Sequence, residues 1–279
     1  MTESLFLFNP TETIENIPCF HPEKMGDYTG YAKQSFELTR KIESESFWVE
    51  SRNRVFTALI RKIGKKTKTN GPIRLVEIGS CTGNFLSQLN LENFELIGSD
   101  IYIDGLVAAK ESSPSITWLQ FDPEKMPFSS NIDMVAAFDV IEHIDNDEEV
   151  LKQAYSVLKP GGHLIVSVPQ YQFMFSNLDI LLKHKRRYSE TELLSKIKKA
   201  GFTIEYHTSF VFFLFPLMLM SRLLDRFRKT DQVDLGKETQ FSKPLNFIFS
   251  KIMRLDEWLI RMSLYLPFGG TLIAIAKKD

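Results

Sequence analysis

The run Leu75-Val76-Glu77-Ile78-Gly79-Ser80-Cys81-Thr82-Gly83-Asn84-Phe85 constrains this chain more than any other segment. Its apolar beginning, closing on an acidic residue, reads as a buried strand. The small residues after it read as a tight loop, and Asn84-Phe85 as the first turn of a helix. At such a junction glycines let a ligand lie against bare backbone, and the helix N-terminus offers N–H groups that lack intrahelical partners. A second strand, Phe94-Glu95-Leu96-Ile97-Gly98-Ser99, ends in Asp100. A carboxylate about 20 residues beyond the loop, at the tip of the second strand, is where doubly wound α/β folds hold ribose hydroxyls. Together they imply a ligand that contains a nucleoside.

Which nucleoside follows from the loop spacing. A dinucleotide site would read Gly-x-Gly-x-x-Gly, so a nicotinamide-dependent oxidoreductase is disfavoured. The observed Glu77-x-Gly79-x-Cys81-x-Gly83 resembles the Glu/Asp-x-Gly-x-Gly-x-Gly loop of class I S-adenosylmethionine (SAM)-dependent methyltransferases. Cys81 replaces the middle glycine, and its small thiol makes it a tolerated variant.

The rest of the chain alternates strands and helices, which predicts a doubly wound, mostly parallel sheet. Apolar side chains at Trp48, Val55, Phe56, Leu59, Ile60 and Ile63 give helical spacing over 43–63. Further strands are expected at Thr117–Phe121, Asp133–Phe138, His163–Val168, Phe202–His207 and Thr271–Ala276. Asp145 with Glu148, and Ser189 with Glu192, have the spacing of capping boxes. The resemblance implies seven strands, the last antiparallel, in a single domain over 1–279. Residues 1–42 read as an N-terminal arm carrying Tyr28 and Tyr31, and 209–270 as a helical insertion before the last strand. An unstructured segment of that length is foreign to a compact domain, so the insertion has a function.

Composition sets the class and the compartment. Hydrophobic residues at 43% and charged residues at 25% are ordinary for a globular protein. A net charge of −1 predicts no nucleic-acid partner for the chain as a whole. Cys19 and Cys81 are the only cysteines, too far apart in sequence to suggest a disulfide framework or a zinc site. No metal ligand set is expected. Met1-Thr2-Glu3-Ser4 lacks the blocks of a secretion signal, which points to the cytoplasm.

Three more segments resemble the same family, each at the end of a successive strand. Phe121-Asp122-Pro123-Glu124 follows the third strand, Asp139-Val140-Ile141-Glu142-His143 the fourth, and Leu158-Lys159-Pro160-Gly161-Gly162 precedes the fifth. The second is similar to the Asp-x-x-Glu-His segment of the type 11, ubiquinone-methyltransferase-like branch. The resemblance implies SAM as cofactor, with Asp100 and Ile101 at the ribose, Asp122 and Pro123 at the adenine, and the loop residues Gly79, Ser80, Cys81 and Gly83 at the methionine tail. Glu77 and Asp139 complete an acidic rim suited to the cationic sulfonium. It also places His143 beside the methyl donor, the first candidate for a base, with His184 the second.

A narrower resemblance covers Val168-Pro169-Gln170-Tyr171, Asp179 and His184-Lys185-Arg186-Arg187-Tyr188, which look like a bacterial subgroup of that branch with a His-x-Arg-Arg-Tyr segment. Glu45-x-Phe47-Trp48 with Arg52 resembles the subgroup's first helix. Arg186, Arg187, Tyr188 and Tyr171 are expected to bind the acceptor, and a basic cluster of this kind favours an anionic one. The alternatives are a solvated basic turn, or an arginine bridge to a strand-end carboxylate that only stiffens the pocket. The insertion carries the uncharged run Phe210–Met220, too short to span a bilayer, followed by Arg222, Arg226, Arg228 and Lys229. From Ser209 onward there are 11 basic and 7 acidic residues, against 23 and 28 before it. Apolar faces flanked by arginines suit a membrane surface; a dimer interface between two copies or a lid on the core are the other uses. The expected activity is methyl transfer from SAM to a small-molecule or lipid-linked, anionic acceptor at the inner face of the membrane. The alternative is a non-catalytic SAM-binding subunit that anchors a partner there.

Overall fold

The computed structural model describes residues 5–25, 46–67, 69, 71–89, 91–225 and 241–279. Tyr28, Tyr31, Glu45, Arg226, Arg228 and Lys229 lie outside the described residues. In chain order, β1 (Glu12–Ile14) and β2 (Ile17–Cys19) precede α1 (Phe47–Gly64), β3 (Ile73–Ile78), α2 (Asn84–Gln88), β4 (Phe94–Asp100), α3 (Ile103–Ser112), β5 (Thr117–Gln120) and β6 (Ile132–Phe138). There follow α4 (Asp147–Val157), β7 (Leu158–Pro169), α5 (Asn177–Leu181), α6 (Glu190–Lys199), β8 (Thr203–Phe210), α7 (Phe215–Asp225), α8 (Lys243–Arg261) and β9 (Thr271–Lys277).

Among the described residues the sheet has nine strands, in the order β1-β2-β5-β4-β3-β6-β7-β9-β8. Strands β3 to β7 pair in parallel. β9 runs antiparallel between β7 and β8, so β8 points the same way as the core strands. The expected seven strands are therefore present with their antiparallel last member, and the count is corrected by the β1–β2 hairpin. That hairpin extends the sheet beside β5, where the buried Gln120 exchanges hydrogen bonds with the backbone of His21.

β6 is buried along its whole length, because helices cover both faces of the sheet. On one face α1, α3 and α8 bury Val55, Phe56, Leu106 and Met253 against Leu75, Met134 and Ile165. On the other, α4 and α6 bury Val150, Leu151, Leu193 and Ile197 against Val76, Val135 and Val166. The Phe56 and Phe138 rings stack at 3.8 Å, locking α1 over the middle of the sheet. Gly98 in β4 makes room for Trp118, since a Cβ there would lie 2.1 Å from the indole.

One cap differs from expectation. α4 starts after Asn146 without a side-chain cap, and Asp145 instead pairs with Lys185. Ser189 does cap α6, accepting from the Glu192 N–H at 3.2 Å. In the insertion, α8 lies along α1: its buried Glu257 accepts from Ser51 Oγ at 2.7 Å and from Arg54 Nε at 2.9 Å. The neighbouring Asp256 accepts from the Phe212 N–H at 2.6 Å and so ties α8 to the chain that enters α7.

Candidate active site

The parallel strands deliver their last residues to one edge of the sheet, and a cleft of about 720 Å³ opens there, within the usual range for small-molecule sites. Its floor is the loop after β3. Gly79 and Gly83 adopt φ of +70° and +74°, and Cys81 the same left-handed region at +48°. A Cβ at Gly79 would stand 2.4 Å from Val140, so only glycine lets these two loops approach. The loop is pinned to β4: Ser80 N–H donates to Ser99 O at 2.8 Å, and Ser99 N–H to Ser80 Oγ at 3.0 Å.

Asp100 ends β4 with its carboxylate turned back on the loop. One oxygen accepts from Cys81 N–H at 2.8 Å and the other from Tyr102 N–H at 3.0 Å. Burial pushes its pKa above the ordinary value, against those N–H donors. Asp122 faces it after β5 and accepts from Glu124 N–H at 2.9 Å. Asp139, with φ of +56°, is held by Arg52 at 3.2 Å and by the Ser167 hydroxyl at 3.1 Å. The cleft is thus lined by Gly79, Cys81, Asp100, Ile101, Asp122, Pro123, Asp139 and His143 of the expected residues. Glu77, Ser80 and Gly83 shape the loop from behind and do not line the cleft. Glu77 is buried at the end of β3, where its carbonyl accepts from the Ser80 and Ser99 hydroxyls.

The opposite wall comes from the short 3-10 turn Ile141–His143 and from the chain after α5. These are stitched together by Lys185 N–H donating to the Glu142 carbonyl at 2.9 Å. The His143 and His184 rings meet edge to face at 4.8 Å. Burial, and then the neighbouring His184, lower the His143 pKa to about 4. Glu142 is fully buried, and its pKa is raised well above the ordinary carboxyl value by burial and by the charge of Asp139.

None of the four residues expected at the acceptor lines the cleft, and neither does His184. Arg187 is turned into the protein, where Nε and Nη2 grip the two oxygens of the buried Asp179 at 2.8 and 3.0 Å. Tyr188 is completely buried, its hydroxyl donating to Asp147 at 2.6 Å. Arg186 reaches Asp147 at 3.3 Å and the Asp145 carbonyl at 3.1 Å. Tyr171 stacks on Phe173 and meets Phe215 of α7. Arg187 thus makes an internal bridge, to Asp179 of α5 and not to a strand-end carboxylate, and Lys183 and Lys185 of the same segment line the cleft.

Sequence reasoning also passed over Lys24, Tyr102 and Val140, which line the cleft. Tyr102 and Val140 each follow a singled-out strand-end residue by one or two positions, a signal that was available. Lys24, from the N-terminal region, carried none. Although no metal set was expected, Glu142, His143 and His184 each bring one donor atom to within 4.8 Å of the others.

Comparison with known proteins gives the same fold and family. The family described as "Methyltransferase domain" matches residues 48–207. The biotin biosynthesis bifunctional protein BioHC of Cellvibrio japonicus is 29% identical over 46% of this chain and 27% of its own length. The malonyl-[acyl-carrier protein] O-methyltransferase of Haemophilus ducreyi is 31% identical over 32% of this chain and 38% of its own. A mitochondrial 2-methoxy-6-polyprenyl-1,4-benzoquinol methylase of Dictyostelium discoideum is 39% identical over 20% and 18%. The matched stretches thus span well under half of each relative. A solved SAM-dependent methyltransferase of Thermotoga maritima, a possible histamine N-methyltransferase, superposes with a TM-score of 0.55 at 17% identity, over 92% of this chain and all of that one. With more than half of its length matched, from α1 to β8, the chain belongs to the methyltransferase domain family and carries the class I SAM-dependent methyltransferase fold.

Proposed function

We propose that this protein transfers the methyl group of SAM to a small-molecule or lipid-linked acceptor that carries an anionic group, at the cytoplasmic face of a membrane. It is a member of the type 11 subgroup whose Val-Pro-x-Tyr and His-x-Arg-Arg-Tyr segments it shares. The observation that carries the reading is the cleft itself, which sets Asp100, Asp122 and the Gly79–Cys81 backbone around one small-molecule volume. Asp100 would hold the ribose hydroxyls of SAM, Asp122 its adenine amino group, and the backbone of the Gly79–Gly83 loop its methionine tail. Asp139 and Glu124 give the sulfonium a negative surround.

Methyl transfer needs little from the protein beyond an aligned, dry nucleophile. The C–S pair returns to sulfur, S-adenosylhomocysteine leaves, and any proton on the acceptor must go to a base. His143 lines the cleft in its neutral form at physiological pH, able to accept a proton but weakly basic. Lys183 and Lys185 at the cleft support an anionic acceptor.

The names of the relatives point the same way, to an acyl-carrier-linked malonyl group in one and a polyprenyl quinol in another. The insertion supports the membrane. α7 and α8 leave Leu217, Met220, Leu224, Ile248 and Trp258 exposed, with Lys251, Arg254 and Arg261 among them. No helix among the described residues is long and apolar enough to cross a bilayer, so contact would be at the surface. None of the insertion's described residues lines the cleft, which disfavours its use as a lid.

The test is transfer of labelled methyl from SAM into a membrane lipid extract and into the water-soluble fraction, with heat-denatured protein as the blank. Label in an anionic, organic-soluble product supports the reading. No S-adenosylhomocysteine above the blank with either fraction would leave the non-catalytic SAM-binding subunit. Flotation with anionic liposomes at low salt tests the membrane separately, and failure to float overturns that part.

A further inference from the structure

Behind the lysines of the cleft wall lies a cluster that the methyl-transfer reading does not use in full. Glu142 is fully buried, yet among the described residues neither of its carboxylate oxygens has a hydrogen-bond partner. A buried polar group in that state calls for an explanation, and an absent ion is one of the few available. One donor atom of Glu142, one of His143 and one of His184 lie within 4.8 Å of one another.

Both imidazoles are already oriented by a second layer of contacts. His184 Nδ1 is 2.9 Å from Asp179 Oδ1, which leaves Nε2 as its remaining nitrogen. Asp179 is in turn fixed by both arms of Arg187 and by the Ser176 N–H at 2.9 Å. The His143 ring is hydrogen-bonded to the backbone of Lys183. Histidines that ligate metals are held in this way, by a carboxylate or a carbonyl on the far nitrogen.

We propose that Glu142, His143 and His184 form a binding site for one divalent cation of the Zn²⁺, Mn²⁺ or Fe²⁺ kind, on the wall of the cleft beside the methyl donor. Two imidazoles and a carboxylate suit those ions, whereas Mg²⁺ and Ca²⁺ favour all-oxygen sets. Metal–donor bonds of about 2.0–2.2 Å bring neighbouring donors to roughly 3–3.5 Å, so the three side chains close on the ion by rotating about their outer bonds. Three protein donors leave open positions, and His143 lines the cleft, so an acceptor oxygen can complete the shell. A cation there lowers the proton affinity of a bound hydroxyl, and His143 then serves as a ligand in place of a base. The buried Arg187–Asp179 bridge also gains a purpose, as the mount for His184.

The purpose of this site rests on the methyl-transfer reading, but its test does not. Full-length protein stripped with a chelator is dialysed against Zn²⁺ and, separately, Mn²⁺, and bound metal is measured by elemental analysis. One equivalent is expected, with affinity at least tenfold weaker in Glu142→Gln and in His184→Asn and unchanged in His207→Asn, a histidine remote from the cluster. Asp179→Asn should weaken binding ten- to hundredfold without removing a ligand. On the unaltered chain, Zn²⁺ should protect His143 and His184, but not His207, from diethylpyrocarbonate. No binding up to millimolar metal, binding indifferent to both ligand variants, or equal modification with and without Zn²⁺ overturns the site. S-adenosylhomocysteine affinity, measured alongside by calorimetry, reports on the Asp100 and Asp122 side, so loss of metal with retained nucleoside binding separates this proposal from the one above.

Discussion

Replacing Arg187 by alanine should cost the fold far more than it costs acceptor binding. The guanidinium makes two charge-assisted bonds, of 2.8 and 3.0 Å, to a carboxylate that is 1% exposed. Removing it leaves Asp179 as a buried charge supported only by His184 and Ser176, a loss of about 3–5 kcal/mol. A domain holds roughly 5–15 kcal/mol in all. At about 2 °C per kcal/mol for a chain of this size, Tm should fall by about 6–10 °C. The pH dependence has a definite sign. Arg187 and His184 hold the Asp179 carboxyl far below its ordinary pKa, against the opposing effect of burial. A carboxyl depressed in the folded state contributes stability above its unfolded pKa of about 4 and loses it as pH falls further. The Tm gap between wild type and variant should therefore be full at pH 7 and close in acid. Calorimetric melts from pH 8 down to the lowest pH at which the wild type still folds, below pH 3, check both points, and the double variant Asp179→Asn/Arg187→Met should recover part of the loss. A variant that melts like the wild type but shows a raised acceptor KM would refute the reasoning and return Arg187 to the substrate.

On the proposed binding mode Asp100→Ala should weaken S-adenosylhomocysteine binding about ten- to hundredfold, because the ribose hydroxyls would lose an acceptor worth about 1–3 kcal/mol and the Cys81 and Tyr102 N–H groups lose theirs; calorimetry on the folded variant decides it. Cys81→Gly should stabilise the protein by about 0.5–1 kcal/mol, since a side chain sits at φ +48° there, and a lower denaturant midpoint would contradict this. Burial raises the Asp256 pKa to about 6, so the folded state binds that proton more tightly than the unfolded chain. Its contribution, about 2–3 kcal/mol, is present below pH 4 and lost as pH rises through 6; Asp256→Asn should flatten the Tm profile over that interval.

How far each part could be read from sequence depends on the range of the interaction that makes it. The parallel strands and the loop after β3 are local patterns: apolar runs such as Ile73–Ile78, small residues, then a helix start. The strand-end residues Asp100, Asp122, Asp139 and His143 inherit their place from that order alone, which is why all four line one cleft. The β1–β2 hairpin has strands of three residues, too short for any periodicity, and exists because Gln120 and His21 meet from 99 positions apart. The segment from His184 to Tyr188 was legible as a cluster but not as an orientation. A run of polar residues in a connecting segment does not fix which way each side chain turns, because that depends on partners distant in sequence. His184 meets His143 while Arg187 and Tyr188 turn inward, to an Asp179 8 residues back and an Asp147 41 residues back. Those partners are what distinguish a buried arginine from a solvated one, and no local pattern announces them. The same long-range pairing explains Glu142. It lies in a motif that reads as a strand-end turn, and only the arrival of the chain after α5, anchored by Lys185 on the Glu142 carbonyl, brings His184 to its side. A wall assembled from two segments about 40 residues apart can thus place imidazoles and a carboxylate around one point, while the strand tips supply the floor of the same cleft.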